Sequence, residues 1–251
     1  MKKKSLVSLL LAVVLVFALM GSALAADFPE NTFEDVKRSD WFAPAVDFAQ
    51  ASELMNGVGG NRFDPTGSVT RAMVATVLYR MAETPSVAGM TNPFSDVSND
   101  DSNWYRDAVI WAADAGVVKG MGNGKFAPTT PITREQMATM IMRFSFSVSG
   151  ESSDPIAQME ALDPSGLIVT ELLANGVDPK ELGMEEYATQ FNGFKDASSI
   201  SSYARWNVLF CAIMGIMKGD TNGSFRPADT LTRAECAQTF LNLYNIGEEY
   251  A

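Results

Sequence analysis

The stretch GDTNGSFRPADTLTRAE, residues 219–235, recurs in outline at two earlier places in the chain. Residues 57–73 read GVGGNRFDPTGSVTRAM, and residues 120–136 read GMGNGKFAPTTPITREQ. A glycine, a phenylalanine, a proline and a Thr-Arg pair keep the same offsets in all three. An aromatic residue also stands 30 positions before each arginine, at Trp41, Trp104 and Tyr203. This regularity indicates a triplicated unit, and a repeat determines the fold before any local pattern does.

Each repeat is predicted to be a helix, a glycine-rich loop and a second helix. In the second repeat, the first helix is predicted from apolar residues at helical spacing: Trp104, Ala108, Trp111, Ala112 and Ala115. The loop 120–124 requires positive φ at some position. The second helix follows the Thr-Arg pair and carries the stripe Met137, Met140, Ile141 and Phe144. We therefore predict an all-α fold in which three helix–loop–helix repeats pack as a pseudo-threefold bundle. Phe48, Trp111 and Phe210 are expected to face its shared core.

The predicted organisation has five parts. Residues 1–25 are expected to be a secretory signal peptide, because a basic start precedes an apolar run and a small-residue cleavage site at Ala23-Leu24-Ala25. The repeats are predicted at 33–83, 94–145 and 194–246. No cargo domain is expected, since about seven residues of the mature chain precede Phe33 and about seven follow Tyr244.

An acidic insertion, residues 146–190, separates the second and third repeats. An apolar cluster at 167–173 and the start signal Asp178-Pro179 favour one or two short helices within it. A solvated connector is the favoured interpretation, and a binding site for a protein partner is the alternative. The insertion contains one basic residue, Lys180. Its acidic residues are Glu151, Asp154, Glu160, Asp163, Glu171, Asp178, Glu181, Glu185 and Glu186.

Charge and composition exclude several classes of function. Removing the three lysines of the signal peptide, which has no acid, moves the formal charge from −11 to −14. Such a chain is not expected to bind nucleic acid, which requires a basic face. The chain has no histidine, so no histidine-based triad or metal site can form. We expect no catalysis, metal or cofactor, and no membrane association after signal cleavage.

The two cysteines both lie in the third repeat. Cys211 and Cys236 occupy columns that are apolar in the other repeats, so buried thiols are the favoured interpretation. A disulfide between them is the alternative for an exported protein.

The Thr-Arg step has two interpretations. Thr133 with Gln136, and Thr232 with Glu235, fit the capping box at a helix start. The arginine that follows the threonine is disfavoured there by the helix dipole. It therefore has another purpose, either packing and pairing with an aspartate or forming an anion site with free helix N–H groups. The residues alone leave both open. The candidate aspartates are Asp35, Asp96 and Asp196.

Taken together, these motifs resemble the S-layer homology family. The third repeat carries the signature most fully, as Phe194-Lys195-Asp196 followed by the stretch 219–235. The resemblance implies a compact helical module bound non-covalently to a secondary cell-wall polysaccharide, often one bearing pyruvate ketals. It implies that the motif arginines lie in grooves between repeats and contact the anionic sugar. The expected glycan-binding residues are Arg71, Arg134, Arg233, Lys119, Lys218, Trp41, Trp104, Tyr203, Gly120 and Gly219.

The first repeat departs from this pattern at two positions. Met73 replaces the capping acid, and Asn56 stands where the other repeats have a lysine. A site built with the first repeat is therefore expected to bind more weakly. The predicted protein is secreted and attached to the cell wall or surface layer through its glycan sites. The alternative is a structural surface-array or partner-bridging protein that acts through the insertion.

Overall fold

The computed structural model describes residues 28–147 and 193–249. The predicted signal peptide and almost all of the predicted insertion lie outside the described residues. Within the described ranges the secondary structure is helical, with isolated β-bridges and no β-strand, which confirms the all-α prediction. The α-helices are α1 (Ala43–Ala51), α2 (Arg71–Met81), α3 (Arg106–Asp114), α4 (Arg134–Ser147), α5 (Arg205–Ile213) and α6 (Arg233–Glu249). Two 3₁₀ turns, Ala197–Ser199 and Ser202–Ala204, precede α5.

The second helix of each repeat begins at the arginine of the Thr-Arg pair, because the threonine caps it. The Oγ1 atoms of Thr133 and Thr232 accept the N–H groups of Gln136 and Glu235, at 3.4 and 3.2 Å. Both partners' side chains accept a threonine N–H in return, so the predicted capping boxes are confirmed. In the first repeat the Sδ atom of Met73 takes this place, at 3.5 Å from the Thr70 nitrogen. Sulfur is a weak acceptor, so this cap is the poorest of the three.

One compact unit comprises residues 28–132 and 230–241. In it α2 packs against α3, and the rings of Tyr79 and Trp111 lie 5.6 Å apart between their centroids. The apolar residues before the three Thr-Arg pairs meet in this unit through a closed ring of backbone hydrogen bonds. Val69 N–H donates to Leu231, Leu231 N–H to Ile132 and Ile132 N–H to Val69, at 3.1, 3.3 and 2.9 Å.

The other unit comprises residues 133–147, 193–229 and 242–249 among those described. Here α4 packs against α5 and against the turn Ser202–Ala204. Phe146 and Phe210 lie 6.2 Å apart, and the thiol of Cys211 donates to the carbonyl of Ala138 in α4. Both Cys211 and Cys236 are buried and unbonded to each other, which confirms the favoured interpretation. Burial raises the pKa of both thiols.

The predicted apolar stripe of the first helix is wrong at its two ends. Ala108, Trp111 and Ala112 are buried within α3 as expected. Trp104, however, precedes the helix and is 60% exposed, and Ala115 follows it as the C-cap. Helical spacing alone could not reveal this, because the helix begins only at Arg106. Across residues 28–147 and 193–249, no helix has the length and apolar character needed to cross a membrane.

Candidate functional site

The three motif arginines are buried against a loop from a different repeat. Each Nε donates to the carbonyl of a loop phenylalanine, and each guanidinium lies over that residue's ring. The bonds join Arg71 to Phe126 at 2.8 Å, Arg134 to Phe225 at 2.7 Å and Arg233 to Phe63 at 2.6 Å. The guanidinium carbons lie 4.8, 4.8 and 4.6 Å from the ring centroids. Stacking over a ring face and a charge-assisted bond both stabilise a cation there.

The helix starts beside these arginines have their N–H groups engaged. Arg71 N–H donates to Thr130 and Ala72 N–H to Pro128, both at 3.0 Å. In the second site the N–H groups of Arg134 and Glu135 donate to the carbonyls of Asp229 and Pro227. In the third site those of Arg233 and Ala234 donate to the carbonyls of Gly67 and Pro65. These N–H groups are not free to bind an anion, as one of the two interpretations of the Thr-Arg step required, because carbonyls of a neighbouring loop already accept them.

The signature aspartates hold the same loops from the opposite side. The carboxylate of Asp96 accepts the N–H groups of Phe126 and Ala127, at 2.8 and 2.9 Å. Asp35 and Asp196 do the same for the loops of their own repeats. These bonds hold the residue after each phenylalanine, such as Ala127 at φ 58°, in the left-handed region. The aspartates thus bind loop backbone rather than pairing closely with the arginines.

These backbone bonds also determine the charge of two aspartates. Burial alone would raise the pKa of Asp35 and Asp96, but the N–H groups that they accept outweigh it. The pKa of each carboxyl therefore lies below its ordinary value.

Each arginine contacts the loop of another repeat. We define a site as that arginine together with the loop residues and the exposed aromatic residue of the repeat that it contacts. The Nη2 of Arg134 donates to Lys218 O at 2.8 Å, and that of Arg233 to Asn56 O at 2.6 Å. Asn56 therefore belongs with Arg233, in a site that joins the third repeat to the first. The Arg71 site comprises Arg71, Trp104, Lys119 and Gly120. The Arg134 site comprises Arg134, Tyr203, Lys218 and Gly219. The Arg233 site comprises Arg233, Trp41, Asn56 and Gly57.

The aromatic residues and lysines of these sites face solvent. Trp41, Trp104 and Tyr203 are 62, 60 and 44% exposed, although they lie beside a well-packed core. Lys119 and Lys218 are also exposed. Large exposed aromatic rings at equivalent positions are more typical of a binding surface than of packing.

The predicted glycines have a packing reason for their identity. A Cβ on Gly120 would lie 2.6 Å from Lys125 O and 2.7 Å from the ring of Phe94. A Cβ on Gly219 would lie 2.7 Å from the ring of Phe194. The phenylalanine of Phe-x-Asp thus excludes any side chain there. In the part of the chain that the structure describes, no three Cys, Asp or Glu side chains group to hold a metal ion.

Sequence analysis missed Glu135 as a site residue. Its carboxylate accepts the N–H and hydroxyl of Ser201, at 3.0 and 2.8 Å, and the hydroxyl of Tyr203 at 3.1 Å. The available signal was that the first and third repeats have alanine at this position, Ala72 and Ala234.

Comparison with known proteins agrees with this architecture. The S-layer homology domain model matches at three tandem positions, residues 32–73, 93–138 and 193–237. The chain belongs to the S-layer homology domain family, and its repeats form a cell-surface anchoring module.

Individual relatives are much longer than the matched region. An endoglucanase of Bacillus sp. (strain KSM-635) is 31% identical over 96% of this chain and 22% of that protein. A cell surface protein of Thermoanaerobacter kivui is 35% identical over 53% of this chain and 18% of its own length. The S-layer protein sap of Bacillus anthracis is 26% identical over 53% of this chain and 16% of that protein. The chain thus spans less than a quarter of each.

Proposed function

We propose that this protein attaches non-covalently to an anionic secondary cell-wall polysaccharide, of the kind that carries pyruvate ketals, and catalyses no reaction. The observation that carries the proposal is that every repeat of this anchoring module combines an exposed aromatic ring with a loop on which a buried arginine from another repeat is stacked. The protein is secreted through its N-terminal signal and acts at the cell wall.

The chemistry of these sites suits a polymer that carries both sugar rings and negative charge. An exposed indole or phenol offers a flat apolar face to a sugar ring. Lys119 and Lys218 are exposed cations of these sites. The guanidinium groups use Nε and Nη2 to hold the loops, as Arg233 does with Phe63 and Asn56, and they add a fixed positive charge.

We further propose that the three repeats pack as a pseudo-threefold bundle around the ring formed by Val69, Ile132 and Leu231. Each repeat contributes one donor and one acceptor to that ring, which supports equivalent positions for all three. In hydrogen exchange, the three ring amides are expected to be protected to the same degree.

The test is co-sedimentation with purified cell-wall material. Wild-type protein is expected to bind walls that carry the anionic polymer and to lose binding when its pyruvate groups are removed by mild acid. Replacing Trp41 and Trp104 by alanine removes two exposed rings without opening the core, and is expected to weaken binding about tenfold. Equal sedimentation with intact and stripped walls would contradict the proposal. The alternative, a bridge to a protein partner through the insertion, rests on residues outside the described ranges and stays a prediction.

A further inference from the structure

The three arginine sites differ in charge at three equivalent positions. One is the helix residue after the arginine, whose N–H donates to a loop proline carbonyl. The second is the loop-tip residue after the site glycine. The third is the left-handed residue after the loop phenylalanine. In the Arg71 site these residues are Ala72, Met121 and Ala127; in the Arg134 site, Glu135, Asp220 and Arg226; in the Arg233 site, Ala234, Val58 and Asp64.

The Arg71 site has no acid at any of these positions. Its arginine lies on the loop that carries Lys119, and the loop tip is Met121, which is 52% exposed. An anion arriving there meets two cations and an apolar surface.

The Arg134 site places two carboxylates beside its arginine. Glu135 directly follows Arg134 and holds Ser201 and Tyr203 by hydrogen bonds. The N–H of Ser224, and more weakly the charges of Arg226 and Arg134, keep the pKa of Asp220 below its ordinary value. Asp220 is therefore ionised and within electrostatic range of Arg134. Asp220 also pairs with Arg226, which pairs with Asp229 as well, at 3.6 and 3.3 Å. Three acids thus offset the three cations Arg134, Lys218 and Arg226.

Glu135 also changes the aromatic group of its site. Trp41 and Trp104 have no hydroxyl group that could donate such a bond. The sites to which they belong have alanine in place of the glutamate. Serine, by contrast, is present two positions before each aromatic residue, at Ser39, Ser102 and Ser201. In this site alone, glutamate and tyrosine together replace the alanine and tryptophan of the other two sites. Tyr203 is also the least exposed ring of the three.

The Arg233 site is intermediate. Its loop offers Asn56 instead of a lysine, and burial lowers the pKa of Arg233 against the attraction of Asp64 and Asp35. Because Arg233 already interacts with the carboxylates of Asp64 and Asp35, an incoming anion gains less binding free energy in this site than in the Arg71 site.

We infer that the Arg71 site binds the acidic residue of the polymer, whereas Glu135 and Asp220 make the Arg134 site select an uncharged sugar. This inference rests on the proposed function and differs from the expectation that a site built with the first repeat binds more weakly. A carboxylate is a strong acceptor for sugar hydroxyl groups and repels a second carboxylate nearby.

Exposed substitutions test this assignment without opening the core. The probes are a pyruvylated hexosamine glycoside and the same glycoside without pyruvate, titrated into the full chain by calorimetry. Lys119→Gln is expected to weaken binding of the pyruvylated probe about three- to tenfold, while Lys218→Gln and the remote control Lys37→Gln change it less than twofold. Met121→Asp, which copies the acid of the Arg134 site, is expected to weaken it about fivefold or more. The matched loop-tip control, Val58→Asp, is expected to change it by less than twofold.

A gain of function completes the test. The Glu135→Ala and Asp220→Ala double variant is expected to raise the number of pyruvylated probes bound per chain by one. A Lys218→Gln effect as large as that of Lys119→Gln would overturn the inference, as would an unchanged stoichiometry in the double variant. If wild-type protein binds neither probe nor the polymer itself, the proposed function fails instead.

Discussion

One phenylalanine residue in each loop binds both an aspartate and an arginine of the signature through its backbone. Asp96 accepts the N–H of Phe126, and Arg71 donates to its carbonyl from another repeat. The aspartate therefore shapes the loop, and the arginine docks on the shaped loop. Both residue types thus have a structural purpose that is independent of any glycan.

The arginines are expected to contribute to folding as well as binding. Arg233→Ala leaves the carbonyls of Phe63 and Asn56 without their charged donor and removes the stack on Phe63. We expect it to lower the free energy of unfolding by roughly 2–4 kcal/mol in urea denaturation. Lysine should recover only part of this, because it cannot span both carbonyls.

Arg62→Ala is the control for that variant. Its side chain is 59% exposed and pairs with Asp35 at 3.4 Å. Exposed pairs contribute about 0–1 kcal/mol, so this change should be small. Equal losses for the two variants would contradict the structural role of Arg233.

Acid is expected to loosen the loops through their aspartates. Because the pKa of Asp35 and Asp96 is lower in the folded chain, their stabilisation is complete above the unfolded pKa of about 4 and is lost as pH falls through the folded value. Asp96→Asn should therefore be less stable than wild type at pH 7, and the gap should narrow below about pH 4. Thermal unfolding at several pH values measures this, and a constant gap would refute it.

Met73→Glu is expected to stabilise the protein by about 0.5–1 kcal/mol. It replaces a sulfur acceptor by a carboxylate that completes the capping box. The negative charge of the carboxylate is also attracted to the positive end of the helix dipole. Chemical denaturation should give the gain, and Met73→Lys should destabilise through the same dipole. A loss of stability in the glutamate variant would mean that Met73 contributes more by packing than by capping.

At the scale of elements, the joint between α2 and α3 links the first repeat to the second. Trp111 is buried and lies against Tyr79. Trp111→Ala is expected to cost roughly 3–5 kcal/mol in the free energy of unfolding, as large aromatic deletions in cores do. If the core is shared, the amides of α2 and α3 should also become exposed to hydrogen exchange together. Independent opening of the repeats would contradict a shared core.

The sequence predicted the helices well and their ends less well. Apolar stripes identified the second helices because Met137, Ile141 and Phe144 are all buried along α4. Trp104 was misassigned because an exposed ring and a core ring look the same in a periodic pattern. The exchange of partners between repeats, as in Arg233 with Asn56, was also beyond the sequence, since repeat columns align residues but do not tell which copies touch.

At the scale of the whole molecule, charge should govern how salt affects binding. With the predicted signal removed, the formal charge falls from −11 to −14, and long-range repulsion from a polyanion is screened over about 8–10 Å at physiological salt. The contacts at the Arg71 site are short-range and should be screened less. Glycan binding is therefore expected to stay flat or rise slightly from low to physiological ionic strength.

Deleting residues 151–186 should raise affinity at low salt and leave it nearly unchanged at high salt, because it removes all nine acids of the insertion. A salt titration of both proteins decides this. A steep loss of binding with salt in the intact chain would mean that a basic surface meets the polymer.

The bond from Arg233 to Phe63 joins residues 170 positions apart in the chain, so it can form only late in synthesis. A chain that emerges N-terminus first presents the first repeat's loop long before its arginine exists, and that loop must wait for the last repeat. The entropy of closing such a loop grows only with the logarithm of its length. An extra segment of about 45 residues before the third repeat therefore adds only about 0.3 kcal/mol to the closure, which makes this junction a place where the family's scaffold can gain sequence without losing its fold.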